Sequence, residues 1–149
     1  MYKTILVPLD GSKRAEAILP HVEELAQRYD AKVVFVRVIE PIPYVSGPEG
    51  TPVTLREQEL EQRRREAEDY LAGRRGEFRE KGIETRAVVF QGPVVEAITD
   101  AAEREGADLI AIGSHGRSGL SQCFYGSVAA GVLHRVDRPL LVVRSLSQD

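Results

Sequence analysis

Gly113, Gly116 and Gly119 follow an apolar run, Leu109 to Ile112, and Gly126-Ser127 opens a helix-like segment, Val128 to Val136. A buried strand that empties into a loop with little side-chain bulk leaves backbone N–H groups bare. A helix N-terminus pointing back at that loop adds the positive end of its dipole. Together these make a seat for an anion such as phosphate. Other side chains in the stretch promise less chemistry. His115 carries an imidazole, a group suited to proton transfer, but loop packing or a phosphate neighbour accounts for it better than acid–base catalysis. Arg117 either pairs with phosphate or points to solvent. Ser127 lacks a positioned base, so it reads as a phosphate hydrogen-bonding group rather than a nucleophile.

These residues need a scaffold, and the apolar pattern supplies one. Thr4-Ile-Leu-Val7, Lys32 to Ile39, Glu84 to Phe90, Asp108 to Ile112 and Leu140 to Val143 are short apolar runs rich in β-branched residues. Such runs mark strands covered on both faces, as in a parallel sheet. Between them lie helical patterns. Ala15, Ile18, Leu19, Val22, Leu25 and Ala26 recur at helical spacing up to Tyr29, with Asp10 or Ser12 placed to cap, and Pro20 implies a kink or local defect. Thr54 to Lys81 reads as a long charged helix with one narrow stripe, Leu60, Ala67, Leu71 and Phe78, weakened at Gly73 and Gly76, where a break or bend is expected. Val94 to Glu105 and the segment after Gly126 complete the set. Glu40 to Pro52, dense in proline and glycine, reads as a loop that serves as a lid or partner contact, or is simply disordered.

Strict β-α alternation implies an α/β fold with a parallel sheet and helices on both faces. At 149 residues with neither repeat nor linker, one domain spanning 1–149 is expected. A net charge of -3 argues against the broad basic surface that nucleic-acid binding needs. The run Arg63-Arg64-Arg65 sits among glutamates and reads as a solvated helix face. No apolar run approaches membrane-spanning length, and Met1 leads straight into a strand without a secretory pattern. Cys123 is the sole cysteine, so a cytoplasmic address is the default and a small packing role its reading. His21 and His134 lie on helices away from the glycine stretch.

In an open α/β sheet the ligand sits beyond the carboxyl ends of the strands, where strand order reverses. Two loops converge on that place: Pro8-Leu9-Asp10 after the first strand, with a carboxylate suited to ribose hydroxyls, and Gly113 to Gly119 after the fourth. A carboxylate beside an anion seat reads as a nucleotide site. Neither a P-loop nor a G-x-G-x-x-G after a strand is present. The pattern is instead Gly113-x2-Gly116-x9-Gly126-Ser127.

That pattern, with Ile5-Leu-Val-Pro-Leu-Asp10-Gly-Ser12 at the start, resembles the ATP-binding branch of the universal stress protein family, and the likeness runs from Lys3 to Arg144. The resemblance implies a Rossmann-like, five-stranded parallel sheet in the order 3-2-1-4-5. It also implies an adenine nucleotide, ATP with Mg where the nucleotide carries it, and a homodimer formed partly through the Leu140–Val143 edge. It places Pro8, Leu9 and Asp10 against the adenosine, Asp10 on the ribose, and the Val38 backbone at the adenine. Ile112, Gly113, His115 and Gly116 would line the ribose and phosphate side. Gly126, Ser127, Val128 and Ala129 would hold phosphates. Ala129 departs from members that carry a hydroxyl there, so one side-chain contact to phosphate or metal is missing.

Three functions follow as alternatives: a nucleotide-dependent sensor or regulator in the stress response, a slow ATPase or phosphoryl or nucleotidyl transferase, and a scaffold dimer holding AMP or a signalling nucleotide. No His/Cys/Asp cluster has metal-ligand spacing and no catalytic base is evident, so a holder of nucleotide with at most slow hydrolysis is expected.

Overall fold

The central strands are apolar because they are buried on both faces, which a sheet between two helical layers allows, while the two edge strands are half-buried. The computed structural model describes residues 1–40, 53–114 and 126–145. In chain order the elements are β1 (Thr4–Pro8), a 3₁₀ helix (Ala15–Ile18), α1 (Leu19–Tyr29), β2 (Lys32–Ile39), α2 (Val53–Glu80) and β3 (Thr85–Gln91). There follow α3 (Val94–Glu105), β4 (Leu109–Gly113), α4 (Ser127–Arg135) and β5 (Leu140–Val143). The sheet runs β3-β2-β1-β4-β5 with every neighbouring pair parallel, which is the expected order.

Alternation along each strand sends side chains to two separate cores. Ile5, Val7, Val33 and Phe35 pack with Val22 of α1 and with Leu71 and Phe78 of α2. Leu6, Val34, Val36 and Ile110 pack with Ile98 and Ala101 of α3 and Val132 of α4. Each of the large side chains among them contributes roughly 1.5–3 kcal/mol by leaving water. Three of the four residues of the expected α2 stripe, Ala67, Leu71 and Phe78, are buried, while Leu60 is only half-buried; the Phe78 ring meets Phe35 edge-on at 5.1 Å.

Two local expectations are corrected. The first helix is not a single kinked rod, because Ala15–Ile18 is 3₁₀ and the α-helix begins at Leu19. Pro20 stands in the first turn of α1, where a missing N–H breaks no helical bond, so it marks a junction and not a defect. Second, α2 runs unbroken through Gly73 and Gly76, and the packing of its stripe outweighs their poor helix propensity.

The starts of β1 and β4 are tied by the Asp108 carboxylate, which accepts the N–H groups of Lys3 and Thr4. That brings their far ends together as well. Residues 41–52, which hold most of the expected lid or partner-contact loop, lie outside the described residues. Among the described residues no helix is long and apolar enough to cross a membrane.

Candidate functional site

Strand order reverses between β1 and β4, since the connections from β1 run to one side of the sheet and those from β4 to the other. Beyond their carboxyl ends lies a crevice of about 600 Å³, a size suited to a small-molecule ligand.

The β1 side is built by a short chain of backbone contacts. Leu9 is buried, and its N–H donates to the Val36 carbonyl at 2.8 Å, holding the turn against β2. Asp10 Oδ1 accepts the Ser12 N–H at 2.9 Å, and Ser12 Oγ accepts the Ala15 N–H at 3.1 Å. Of the two candidate caps, Ser12 therefore serves the helix and Asp10 shapes the turn before it. The Asp10 carboxylate stays at the crevice wall.

On the β4 side, a Cβ on Gly113 would stand 2.9 Å from the Arg14 carbonyl oxygen and 3.0 Å from that of Ala15. Glycine is thus required there for close approach of two backbones, beyond any need for bare N–H groups. Ser114 is buried, donates its N–H to the Val143 carbonyl at 2.9 Å and accepts the Ser145 N–H at its hydroxyl. Gly126, at φ +86°, adopts a conformation that side chains resist and directs Ser127 to the first position of α4. The positive end of that helix faces the crevice through Gly126, Ser127 and Val128.

Nine of the sequence-derived site residues line this one crevice: Pro8, Leu9, Asp10, Val38, Ile112, Gly113, Gly126, Ser127 and Val128. Ala129 does not line it; its side chain is 2% exposed and packs inward. His115, Gly116 and Arg117 lie outside the described residues, as does Cys123. Helix residues His21 and His134 are exposed and stand apart from the crevice.

Sequence reasoning missed the wall opposite the glycines. Arg37 of β2 and Arg63 and Glu66 of α2 also line the crevice. The run Arg63-Arg64-Arg65 otherwise keeps the solvated face expected of it: Arg63 and Arg65 are exposed and pair with Glu59 and Glu61, and of the three only Arg63 borders the crevice. A signal for Arg37 existed: it is the one charge inside the apolar run Val33 to Ile39. A cluster of polar side chains surrounds it. Tyr70 donates its hydroxyl to Glu16 Oε2, Arg74 Nη1 approaches the same oxygen at 3.3 Å, and Arg37 lies against the Tyr70 ring. Burial first, and then the hydrogen bond and charge of Glu16, push the Tyr70 phenol above the ordinary tyrosine range. Among the described residues no group of three or more His, Cys, Asp or Glu gathers as a metal cage.

Chemically, the crevice sets a carboxylate on one side of β1 and an anion seat on the other. It suits a ligand with hydroxyls at one end and phosphate at the other.

The chain matches the universal stress protein family over residues 1–144. It is 30% identical to the universal stress protein MJ0577 of Methanocaldococcus jannaschii, the match covering 97% of this chain and 96% of that one. The solved structure of MJ0577 superposes with a TM-score of 0.84 and covers 99% of both chains. A universal stress protein in complex with cAMP shares the fold at 23% identity and a TM-score of 0.64, over 96% of this chain and 97% of that one. Another, from Archaeoglobus fulgidus in complex with dAMP, does so at 24% and 0.65, over 95% and 97%.

Proposed function

Because this chain belongs to the universal stress protein family, we propose that its crevice binds an adenine nucleotide, ATP in the first instance, as a single domain spanning 1–149. The observation that carries this is the convergence of Asp10, Gly113 and Gly126-Ser127 on one crevice at the reversal of strand order. Asp10 takes the ribose, the Val38 backbone meets the adenine, and the α4 N-terminus with the Gly113 loop takes the phosphates. His115, Gly116 and Arg117 complete the phosphate side by the family pattern. The solved complexes of fold relatives with cAMP and dAMP support an adenine nucleotide as the class of ligand.

The protein is a holder of nucleotide more than a cutter. The family resemblance implies a hydroxyl at position 129 in some members; Ala129 is buried here and offers the phosphates and an accompanying Mg²⁺ no side-chain oxygen. Its occupancy then acts as a signal, which makes the protein a nucleotide-dependent regulator in the cytoplasm. The half-buried edge strand β5 supports a homodimer formed through Leu140–Val143.

Mass spectrometry of the denatured, purified protein tests the ligand class. An adenine nucleotide released in near-stoichiometric amount supports the reading. Release of a different class of small molecule from the same crevice overturns it.

A further inference from the structure

Arg37 has no task in the reading above, yet its surroundings are specific. It shares a sheet face with Phe35, and near the end of β2 its guanidinium lies against Gly11, the residue after Asp10. A Cβ on Gly11 would be 3.4 Å from both Nη atoms and 3.5 Å from Cζ, so the planar group lies face-on over that position. Its Cζ stands 5.6 Å from the centroid of the Tyr70 ring, within cation–π range. Tyr70 is itself tethered to Glu16, on the 3₁₀ helix that follows the turn. Glu16 is already engaged by Tyr70 and Arg74, and Arg37 Nε is buried without a hydrogen-bond partner among the described residues.

Such an arrangement braces the Asp10–Ser12 turn. Gly11, at φ +87°, is the softest point of that turn, and a hydrogen bond from a ribose hydroxyl needs the carboxylate aimed to within a few tens of degrees. We propose that Arg37 is a positioning residue for Asp10: packed on Gly11 and held by Tyr70, its guanidinium keeps the carboxylate at the ribose edge of the crevice. Arg37 thereby sets the preference for ribonucleotides over deoxyribonucleotides. The inference rests on the adenine-nucleotide reading. It predicts a loss confined to the ribose contact, because the phosphate seat lies across β1, on β4 and α4.

Calorimetry on the full chain with ATP, 2′-deoxy-ATP and 3′-deoxy-ATP tests it. The unaltered protein should prefer ATP over the analogue lacking the Asp10-bonded hydroxyl by about tenfold, the worth of one hydrogen bond to a charged group. In Arg37→Met that ratio should fall toward one, as it should in Asp10→Asn. Arg37→Lys, which keeps the charge but not the planar fork, should give an intermediate ratio; this variant decides the matter if the methionine chain does not fold. Three results overturn the inference: no ribo-over-deoxy preference in the unaltered protein, an Arg37→Met chain that weakens all three ligands by one factor, or an unchanged ratio in Arg37→Lys. In each of these the adenine-nucleotide reading survives. Failure of all three ligands to bind the unaltered protein overturns that reading, and this inference with it.

Discussion

Gly113 and Arg14 approach so closely that a Cβ on the glycine would stand 2.9 Å from the Arg14 carbonyl oxygen. The contact presses the end of β4 against the segment that follows β1, and so brings the two halves of the crevice together. Because the obstacle is backbone, it cannot turn aside as a side chain would. Gly113→Ala should therefore cost about 2 kcal/mol, in the range of overpacking, and weaken nucleotide binding as well. Urea denaturation measures the first effect; a loss under about 0.5 kcal/mol would show that the two segments part easily.

The strands were legible because burial on both faces leaves continuous β-branched runs, such as Val33 to Val36; their order came from the family resemblance alone. The glycine half of the crevice was legible because a missing side chain shows in the sequence. The β2–α2 wall was not. Arg37 and Tyr70 are far apart along the chain, and nothing local announces that an arginine in a strand will lie on a helix tyrosine. Pro20 misled for a related reason: a proline in a periodic run signals a break, but only the preceding 3₁₀ geometry says that the α-helix starts there.

Gly73 on α2 tests whether that helix tolerates its glycines merely through packing elsewhere. The residue is exposed, and nothing lies within 4 Å of the place a Cβ would take. Gly73→Ala should raise stability by about 0.5–1 kcal/mol through helix propensity alone. A thermal or urea melt that shows a loss would mean that the position is strained or contacted.

Phe78 makes the opposite case. It is buried, and its ring meets Phe35 edge-on. Phe78→Ala should cost about 3–5 kcal/mol, read by the same denaturation. A cost below about 1 kcal/mol would place α2 outside the folded core.

Tyr70 predicts an alkaline behaviour. Its phenol is raised above the ordinary value of 10.0, so the folded chain holds that proton more tightly than the unfolded chain does. The contribution is present in full below the ordinary tyrosine range and is lost as pH rises beyond it. Stability should fall above about pH 10 less steeply in Tyr70→Phe than in the unaltered protein. In a spectrophotometric titration, one of the five tyrosines should ionise late and be missing from the variant. Identical late phases in the two proteins would contradict the burial of this phenol against Glu16.

Edge strand β5 carries the proposed self-association. Sedimentation velocity should give twice the 16.5 kDa chain mass at micromolar concentration. A monomer throughout the accessible range would remove the edge from the account.

Direct titration of ATP into the folded 149-residue chain, followed by calorimetry, bears most closely on the central claim. A single nucleotide per chain should bind with Kd below about 1 mM, and Asp10→Ala should weaken it by about tenfold or more while the thermal melt stays cooperative. A folded protein that gives no heat with millimolar ATP, ADP or AMP, and no competition against a fluorescent adenine nucleotide, would contradict the account.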